Sequence, residues 1–373
     1  MSPLLFVILQ TGTRANGGLQ SITEVMRRLE DHRPIVLTNL DSEATDRWRA
    51  AGIEVHVVGE AASSGFRRRP LATLRTYRRY DAAVSKLLRE SGARVVHAND
   101  PLAFQLSVRA ANRAGARILL NLRDTLDPAR RPPRLKFRWI FSAADHLLFL
   151  SNDMGERWSD VAAEARGKFS VTYSIVDLDR FGPQPASGEQ PPVVLIPGVF
   201  WPKKGQLDFI RHVVPALAAQ GVECWFAGDF DPATNDYAAA CAAAAAPFGD
   251  RVRFLGFRQD MADLYARAAA VAVPSRHEGL MRGMIEAMSC GRPVVSFDVC
   301  SAREMLAGND AAGVVVSQGD QGGMAQALIR FASDADAARA AGAAGRSLAE
   351  KLFDPATVVG RYERAYHLLE SGA

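Results

Sequence analysis

The residues of this 373-residue chain best suited to chemistry are two glutamates, Glu278 and Glu286, set around a strand-to-helix transition within residues 273–295. A short apolar run ends at Pro274, a polar loop carries Glu278, and a helical pattern starting near Arg282 carries Glu286. A carboxylate accepts hydrogen bonds from hydroxyls, and a vicinal diol can engage one carboxylate through both of its oxygens. The positive end of a helix adds a place for an anion. The set therefore suits a ligand with two hydroxyl-bearing rings joined by phosphates.

Two further loops offer phosphate chemistry. Lys203 and Lys204 lie between a strand end and a helix start in residues 197–205, where a lysine can neutralise a diphosphate leaving group. A solvated lysine pair explains the same residues. Gly17 and Gly18 close a loop that follows the first apolar run and precedes a helix, so backbone amides could approach a phosphate. No Lys-Ser/Thr follows them, so the loop is not a P-loop, and a plain strand-to-helix turn accounts for it equally well.

Positioning these residues requires a sheet. Apolar runs at 4–9, 35–38, 55–58, 95–97, 118–122 and 147–150 read as strands, with helical patterns such as 18–29 and 71–90 between them. The alternation restarts after a proline- and glycine-rich stretch at 183–192. Strands are expected at 193–196, 223–227, 252–255, 271–273, 294–296 and 313–316, and helices at 206–219, 237–246, 261–269, 283–290, 323–332, 335–352 and 355–369. Strand–helix alternation predicts parallel sheets covered on both faces, in two doubly wound domains. Ligands of such sheets gather at the carboxyl ends of the strands, so the ligand is expected in a cleft between the domains.

Composition narrows the class. Apolar residues make up 48% and charged residues 23%, the balance of a soluble globular protein. No run is long enough to span a bilayer, and the first ten residues read as a buried strand. Cys224, Cys241, Cys290 and Cys300 have no metal-like spacing, which predicts free thiols in a reducing compartment and a cytoplasmic protein. Residues 1–182 hold 28 Lys+Arg against 20 Asp+Glu, a net +8; with totals of 45 and 41 the remainder holds 17 against 21, a net −4. The opposite signs suit two domains with different partners.

Basic residues concentrate at 66–90, where Arg75, Arg78 and Arg79 share a helical face near Phe66, Leu71, Leu74 and Tyr77. Such a surface suits an anionic membrane, and a solvated arginine-rich helix fits it as well. No recognised nucleic-acid module accompanies the charge, so no nucleic acid is expected. His97 ends an apolar strand and reads as a packed core histidine; Asn99 and Asp100 beyond it suit a helix cap or a substrate contact.

The Glu278-x7-Glu286 element, with Gly279, Cys290-Gly291 and Pro293-Val-Val, resembles that of glycosyltransferase family 4, retaining enzymes of GT-B fold. Residues 278–282, Glu-Gly-Leu-Met-Arg, resemble the EGLPR subgroup, many of whose members build bacterial polysaccharide or lipopolysaccharide. Gly17-Gly18 and Lys204-Gly205 fall where the family has its glycine loop and its lysine element. The resemblance implies that Glu278 contacts donor-sugar hydroxyls, and that the amides of Gly279, Leu280, Met281 and Arg282 surround sugar and diphosphate. It implies that Glu286 holds the ribose, while Lys204 and the Gly17-Gly18 amides stabilise the leaving diphosphate, with Lys203, Arg276 or Arg282 expected to replace the phosphate contact missing at Val199. It implies an acceptor domain at 1–182, a linker at 183–192, a donor domain at 193–353 and a helix at 354–373 returning to the first domain.

The expected reaction is retaining transfer of a hexosyl group from a UDP- or GDP-sugar to a glycan or lipid-linked hydroxyl, with no metal and no covalent nucleophile. Asp124, after the fifth strand, is the candidate for orienting or deprotonating the acceptor hydroxyl. The chain departs from the family pattern at Val199, commonly arginine, at Met281, commonly proline, and at Arg123-Asp124, where the family commonly has a histidine. A nucleotide-sugar-binding protein without transferase activity, or an epimerase of the same fold, are the rival readings.

Overall fold

The computed structural model describes residues 1–10, 17–59, 70–123, 133–183, 191–306 and 311–372. The chain divides into two compact units, Met1–Ile175 with Pro355–Ala373, and Val176–Asp354. The first is built on strands β1 (Ser2–Ile8), β2 (His32–Thr38), β3 (Glu54–Val57), β4 (Val95–Ala98), β5 (Arg117–Leu122), β6 (His146–Phe149) and β7 (Phe169–Val171). They form one parallel sheet in the order β3-β2-β1-β4-β5-β6-β7. Its central strands are continuous apolar runs, Leu4 to Ile8 being fully buried, because helices cover both faces and leave no solvated side.

The second unit repeats the plan with β8 (Val193–Pro197), β9 (Glu223–Ala227), β10 (Val252–Gly256), β11 (Ala270–Val273), β12 (Val294–Phe297) and β13 (Gly313–Val316), in the order β10-β9-β8-β11-β12-β13. The strand order reverses between β8 and β11. At such a switch point the loops leaving the two strands diverge to opposite faces and open a crevice at the sheet's carboxyl edge. Both units are Rossmann-like, and the expected doubly wound class is the one observed.

Local departures have local causes. The helix expected over 206–219 breaks at Val213 into Gln206–His212 and Val214–Ala219. Pro215 supplies no N–H and its ring clashes with a preceding carbonyl, so it is tolerated only in the first turn of a new helix. Strand β7, three residues at the sheet edge, has too little periodicity to be read from sequence. The division between units falls after Ile175, upstream of the stretch expected as linker at 183–192. Residues just beyond it are tied into the second unit: Arg346 Nη1 donates to the carbonyls of Leu178 (3.3 Å) and Phe181 (3.1 Å), and the Phe181 ring meets Tyr265 edge-on.

The final helix, Pro355–Ser371, belongs to the first unit. Its buried Tyr366 hydroxyl bonds His97 Nδ1 (2.9 Å) on β4, and Tyr362 accepts from Asn121 Nδ2 (3.3 Å) on β5. Polar tips on otherwise apolar rings fix the helix in one register over the sheet.

Candidate functional site

The switch point of the second sheet holds the strongest pair. The loop leaving β8 turns through one 3-10 turn, Pro202–Lys204, and ends at Gly205 in the left-handed region (φ 73°). A Cβ at Gly205 would lie 2.0 Å from the Pro274 carbonyl oxygen at the end of β11, so only glycine lets the two loops meet. The Lys203 carbonyl accepts from the Arg276 amide (2.8 Å), and Arg276 Nη2 pairs with Asp208 Oδ2 (2.5 Å) on the following helix.

That register brings Lys204 onto Glu278. Lys204 Nζ donates to Glu278 Oε1 at 2.6 Å, and Ser275 Oγ donates to the same oxygen at 2.7 Å. Glu278 is only 7% exposed. A carboxylate this buried is tolerated because a cation and a hydroxyl satisfy it. The other Glu278 oxygen has no hydrogen-bond partner among the described residues.

The loop then runs through Gly279, Leu280 and Met281 into the helix Arg282–Ser289. Ser301, the single non-glycine residue with positive φ among those described, donates from Oγ to the Gly279 carbonyl (3.1 Å). Met281, buried at the N-cap position, makes no side-chain cap; its sulfur contacts Ser296 Oγ at 3.6 Å. The first turn of this helix is thus left without a side-chain cap, and its amides are available to an anion. Met281 in place of proline anchors the loop by packing on β12.

Glu286, 9% exposed, sits one turn in. Its Oε1 accepts from Arg282 Nε (2.7 Å) and its Oε2 from the Tyr265 hydroxyl (3.1 Å). Burial first, and then the Glu286 charge, push the Tyr265 phenol well above its ordinary value, so it remains a proton donor. Cys290 nearby is pushed up to about 12 by burial and is inert. Gly283 faces β8: a Cβ there would come within 2.8 Å of Pro197 Cγ.

The structure therefore joins Lys204 to Glu278 and Arg282 to Glu286, and ties Gly279 to Ser301. Lys203 forms no ion pair among the described residues, and Val199 is exposed while its carbonyl accepts from Gln206 Nε2 (2.9 Å). Tyr265 and Ser301 escaped the sequence reading. Tyr265 carried one usable signal, a tyrosine on an apolar helical face, whose hydroxyl needs a partner once buried. Ser301 carried none.

In the first unit, Gly17 and Gly18 open the helix Gly17–Arg27, while residues 11–16 of their loop lie outside those described. Asp124 also lies outside the described residues. His97 is fully buried and stacked on Phe6 (4.7 Å), and burial, with the Arg123 charge, lowers its pKa to about 3. It is a neutral core residue. Asp100 caps the helix Pro101–Ala114 by accepting from the amides of Leu102 (2.7 Å) and Ala103 (2.9 Å).

Two Rossmann-like units, the second with a buried lysine–carboxylate pair at its switch point, define the class of a two-domain α/β protein with a ligand site at the carboxyl ends of its strands. Residues 16–166 match the family described as glycosyl transferase 4-like domain, and residues 191–334 match glycosyl transferases group 1; the chain belongs to these glycosyltransferase families. N-acetyl-alpha-D-glucosaminyl L-malate synthase of Bacillus anthracis is 30% identical over 118 residues, 32% of this chain and 31% of that protein. The lipopolysaccharide core biosynthesis mannosyltransferase LpsB of Rhizobium meliloti is 32% identical over 111 residues, 30% of this chain and 32% of that protein. The chain thus spans about a third of the length of these curated relatives. The crystal structure of Anabaena HepE in complex with UDP superposes with a TM-score of 0.80 at 22% identity, covering 98% of this chain and 99% of that one, which identifies the GT-B fold.

Proposed function

We propose that this chain transfers a hexosyl group from a UDP- or GDP-sugar to a hydroxyl of a glycan or lipid-linked acceptor, with retention at the anomeric carbon, in cell-surface polysaccharide or lipopolysaccharide synthesis. In this reaction the acceptor oxygen forms the new bond to the anomeric carbon. The bond to the diphosphate breaks, and the electron pair leaves with the nucleoside diphosphate. Negative charge grows on the diphosphate, so a fixed cation and helix amides aimed at it lower the barrier. Lys204, supported by Lys203 and the amides from Gly279 to Arg282, is assigned that role. Glu278 then contacts the sugar hydroxyls with its second oxygen. Glu286 receives the ribose diol, whose hydroxyls replace the Arg282 guanidinium as its partner while Tyr265 stays bonded.

The observation that carries the reading is the buried Lys204–Glu278 pair, held at the switch point by a glycine that no other residue could replace. The names of the relatives support it: one curated relative is a mannosyltransferase of lipopolysaccharide core synthesis, and a protein of the same fold was solved with UDP bound. Asp124 is retained as the proposed acceptor base. We assign no metal to the transfer step, and we place the acceptor's lipid at an anionic membrane surface.

Calorimetric titration of the full chain with UDP-, GDP- and ADP-sugars tests the donor. One of them is expected to bind, and Glu286→Gln, which keeps the shape but removes the charge, is expected to weaken it about tenfold or more. Nucleoside diphosphate release that requires an added acceptor separates transfer from mere binding. If no sugar nucleotide binds, or Glu286→Gln binds it unchanged, the reading fails.

A further inference from the structure

At the amino end of β2, in the first unit, side chains that the transfer reaction does not use converge on one point. His32 opens the strand and is fully buried. Glu363, His367 and Glu370 of the final helix face it, on the single stripe that helical spacing gives positions four and then three apart. Asp31 completes the group from the adjoining turn.

Each imidazole is held from behind by a carboxylate. His32 Nδ1 bonds Glu363 Oε2, and Glu363 Oε1 accepts the backbone amides of Glu30 (2.9 Å) and Asp31 (3.1 Å). His367 Nε2 bonds Asp31 Oδ2 at 2.8 Å. A carboxylate on one ring nitrogen keeps the proton there and turns the lone pair of the other nitrogen outward. The two free nitrogens, His32 Nε2 and His367 Nδ1, both turn to Glu370 Oε2, at 3.5 Å and 3.8 Å. Ser2 Oγ fixes the other Glu370 oxygen (2.8 Å).

These gaps are too long for good hydrogen bonds. His32 Nε2 is completely buried with no hydrogen-bond partner, a state that costs free energy unless something fills it. The gaps suit the edges of a metal polyhedron instead. An ion with tetrahedral bonds of roughly 2.0–2.1 Å has ligand atoms about 3.3–3.4 Å apart. His32, Glu363 and His367 present ligand atoms within 4.8 Å of one another, and Glu370 Oε2 joins them through its 3.5 Å and 3.8 Å approaches to the two imidazoles. The oxygens of Glu363 are engaged by an imidazole and two amides, so Glu370 is the carboxylate left to coordinate.

We propose that His32 Nε2, His367 Nδ1 and Glu370 Oε2 bind a divalent transition-metal ion, zinc being the best match to two imidazoles and one carboxylate, with water in the fourth position. Glu363 and Asp31 orient the two imidazoles from the outer shell. The ion ties the last helix to the start of β2, residues from opposite ends of the chain, and takes no part in transfer. The site does not depend on the proposed glycosyl chemistry.

The test uses the untagged full chain and zinc chloride alone. Calorimetry is expected to find one zinc per chain, with a thermal midpoint raised by zinc and lowered again by chelator. His367→Ala, at a half-exposed position that the fold tolerates, should weaken zinc at least about tenfold, and Asp31→Asn about tenfold. His56→Ala, at an exposed histidine elsewhere in the unit, should change nothing. Cobalt in place of zinc should give the intense visible bands of a four-coordinate ion in the parent and lose them in His367→Ala. The proposal is overturned by no stoichiometric binding, by zinc binding that survives His367→Ala unchanged, or by a thermal midpoint that follows pH and ignores zinc, the mark of an ion-pair network of protonated histidines.

Discussion

At the scale of single residues, the Lys204–Glu278 pair has two functions that one experiment can separate. Lys204 lies 2.6 Å from a carboxylate that is almost wholly buried. Removing the lysine leaves Glu278 with the Ser275 hydroxyl alone, and a buried charge stripped of its partner is strongly destabilising. Lys204→Met should therefore lower the thermal midpoint and also reduce kcat by about 10²–10³-fold, the scale for losing one preorganised charge at a leaving group. Adding Glu278→Gln removes the orphaned charge. The double variant should recover the midpoint and turn over more slowly than Glu278→Gln alone, the single variant that sets the rate lost with the carboxylate. Turnover that recovers together with stability would assign Lys204 to folding alone, and unchanged turnover in Lys204→Met would remove it from the reaction. The sequence places Lys204 beside the segment that carries Glu278, but not the direct ion pair between them, because the two stand in separate loops and each matches its own part of the ligand.

At the scale of elements, the two loops meet only because Gly205 has no Cβ. A methyl group there would be driven into the Pro274 carbonyl, in a backbone conformation that already disfavours side chains. Gly205→Ala should cost about 1–3 kcal/mol in urea unfolding, in the range of a strained functional backbone, and should lower kcat by displacing Lys204. Gly221 is the control. It has a similar φ of 76° but open space around its Cβ, so Gly221→Ala should cost only the left-handed penalty and leave kcat unchanged. Equal kinetics in the two variants would refute the positioning argument. The same comparison explains what was legible in advance. The strands and the carboxylate-bearing helix start were readable because periodicity and composition are local signals. The break at Val213 was announced by Pro215 and still overlooked, because the flanking apolar spacing continues through it. The cluster of His32 with His367 was invisible, since nothing local marks residues that meet only through a helix packing back on the first strands.

At the scale of the whole molecule, residues 1–182 carry a net surplus of positive charge, and the first unit has a basic and apolar surface on which the proposed membrane contact can be tested. The helix Pro70–Ser91 turns Thr73, Thr76, Tyr80, Val84 and Leu88 inward and leaves Leu71 75% exposed, with Leu74, Arg75, Arg78 and Arg79 on its outer side. Phe66 and its neighbours through residue 69 lie outside the described residues. The helix Arg134–Ala143 contributes exposed Leu135 and Trp139 beside Lys136 and Arg138, and both helices pack against Pro101–Ala114. Among the described residues no helix is long and apolar enough to cross a membrane. Leucine and tryptophan interleaved with arginine suit shallow insertion at an anionic bilayer, where each basic residue contributes about 1 kcal/mol. The chain should cosediment with vesicles containing phosphatidylglycerol and not with pure phosphatidylcholine, and the association should weaken as salt rises. Arg75→Ala with Arg78→Ala should reduce partitioning by about tenfold to thirtyfold, following that contribution. Leu71→Glu with Trp139→Glu should abolish it while leaving turnover on a soluble acceptor intact. Binding that ignores lipid charge, or that survives both pairs of substitutions, would leave an arginine-rich helix solvated for its own sake and place the lipid-linked acceptor elsewhere.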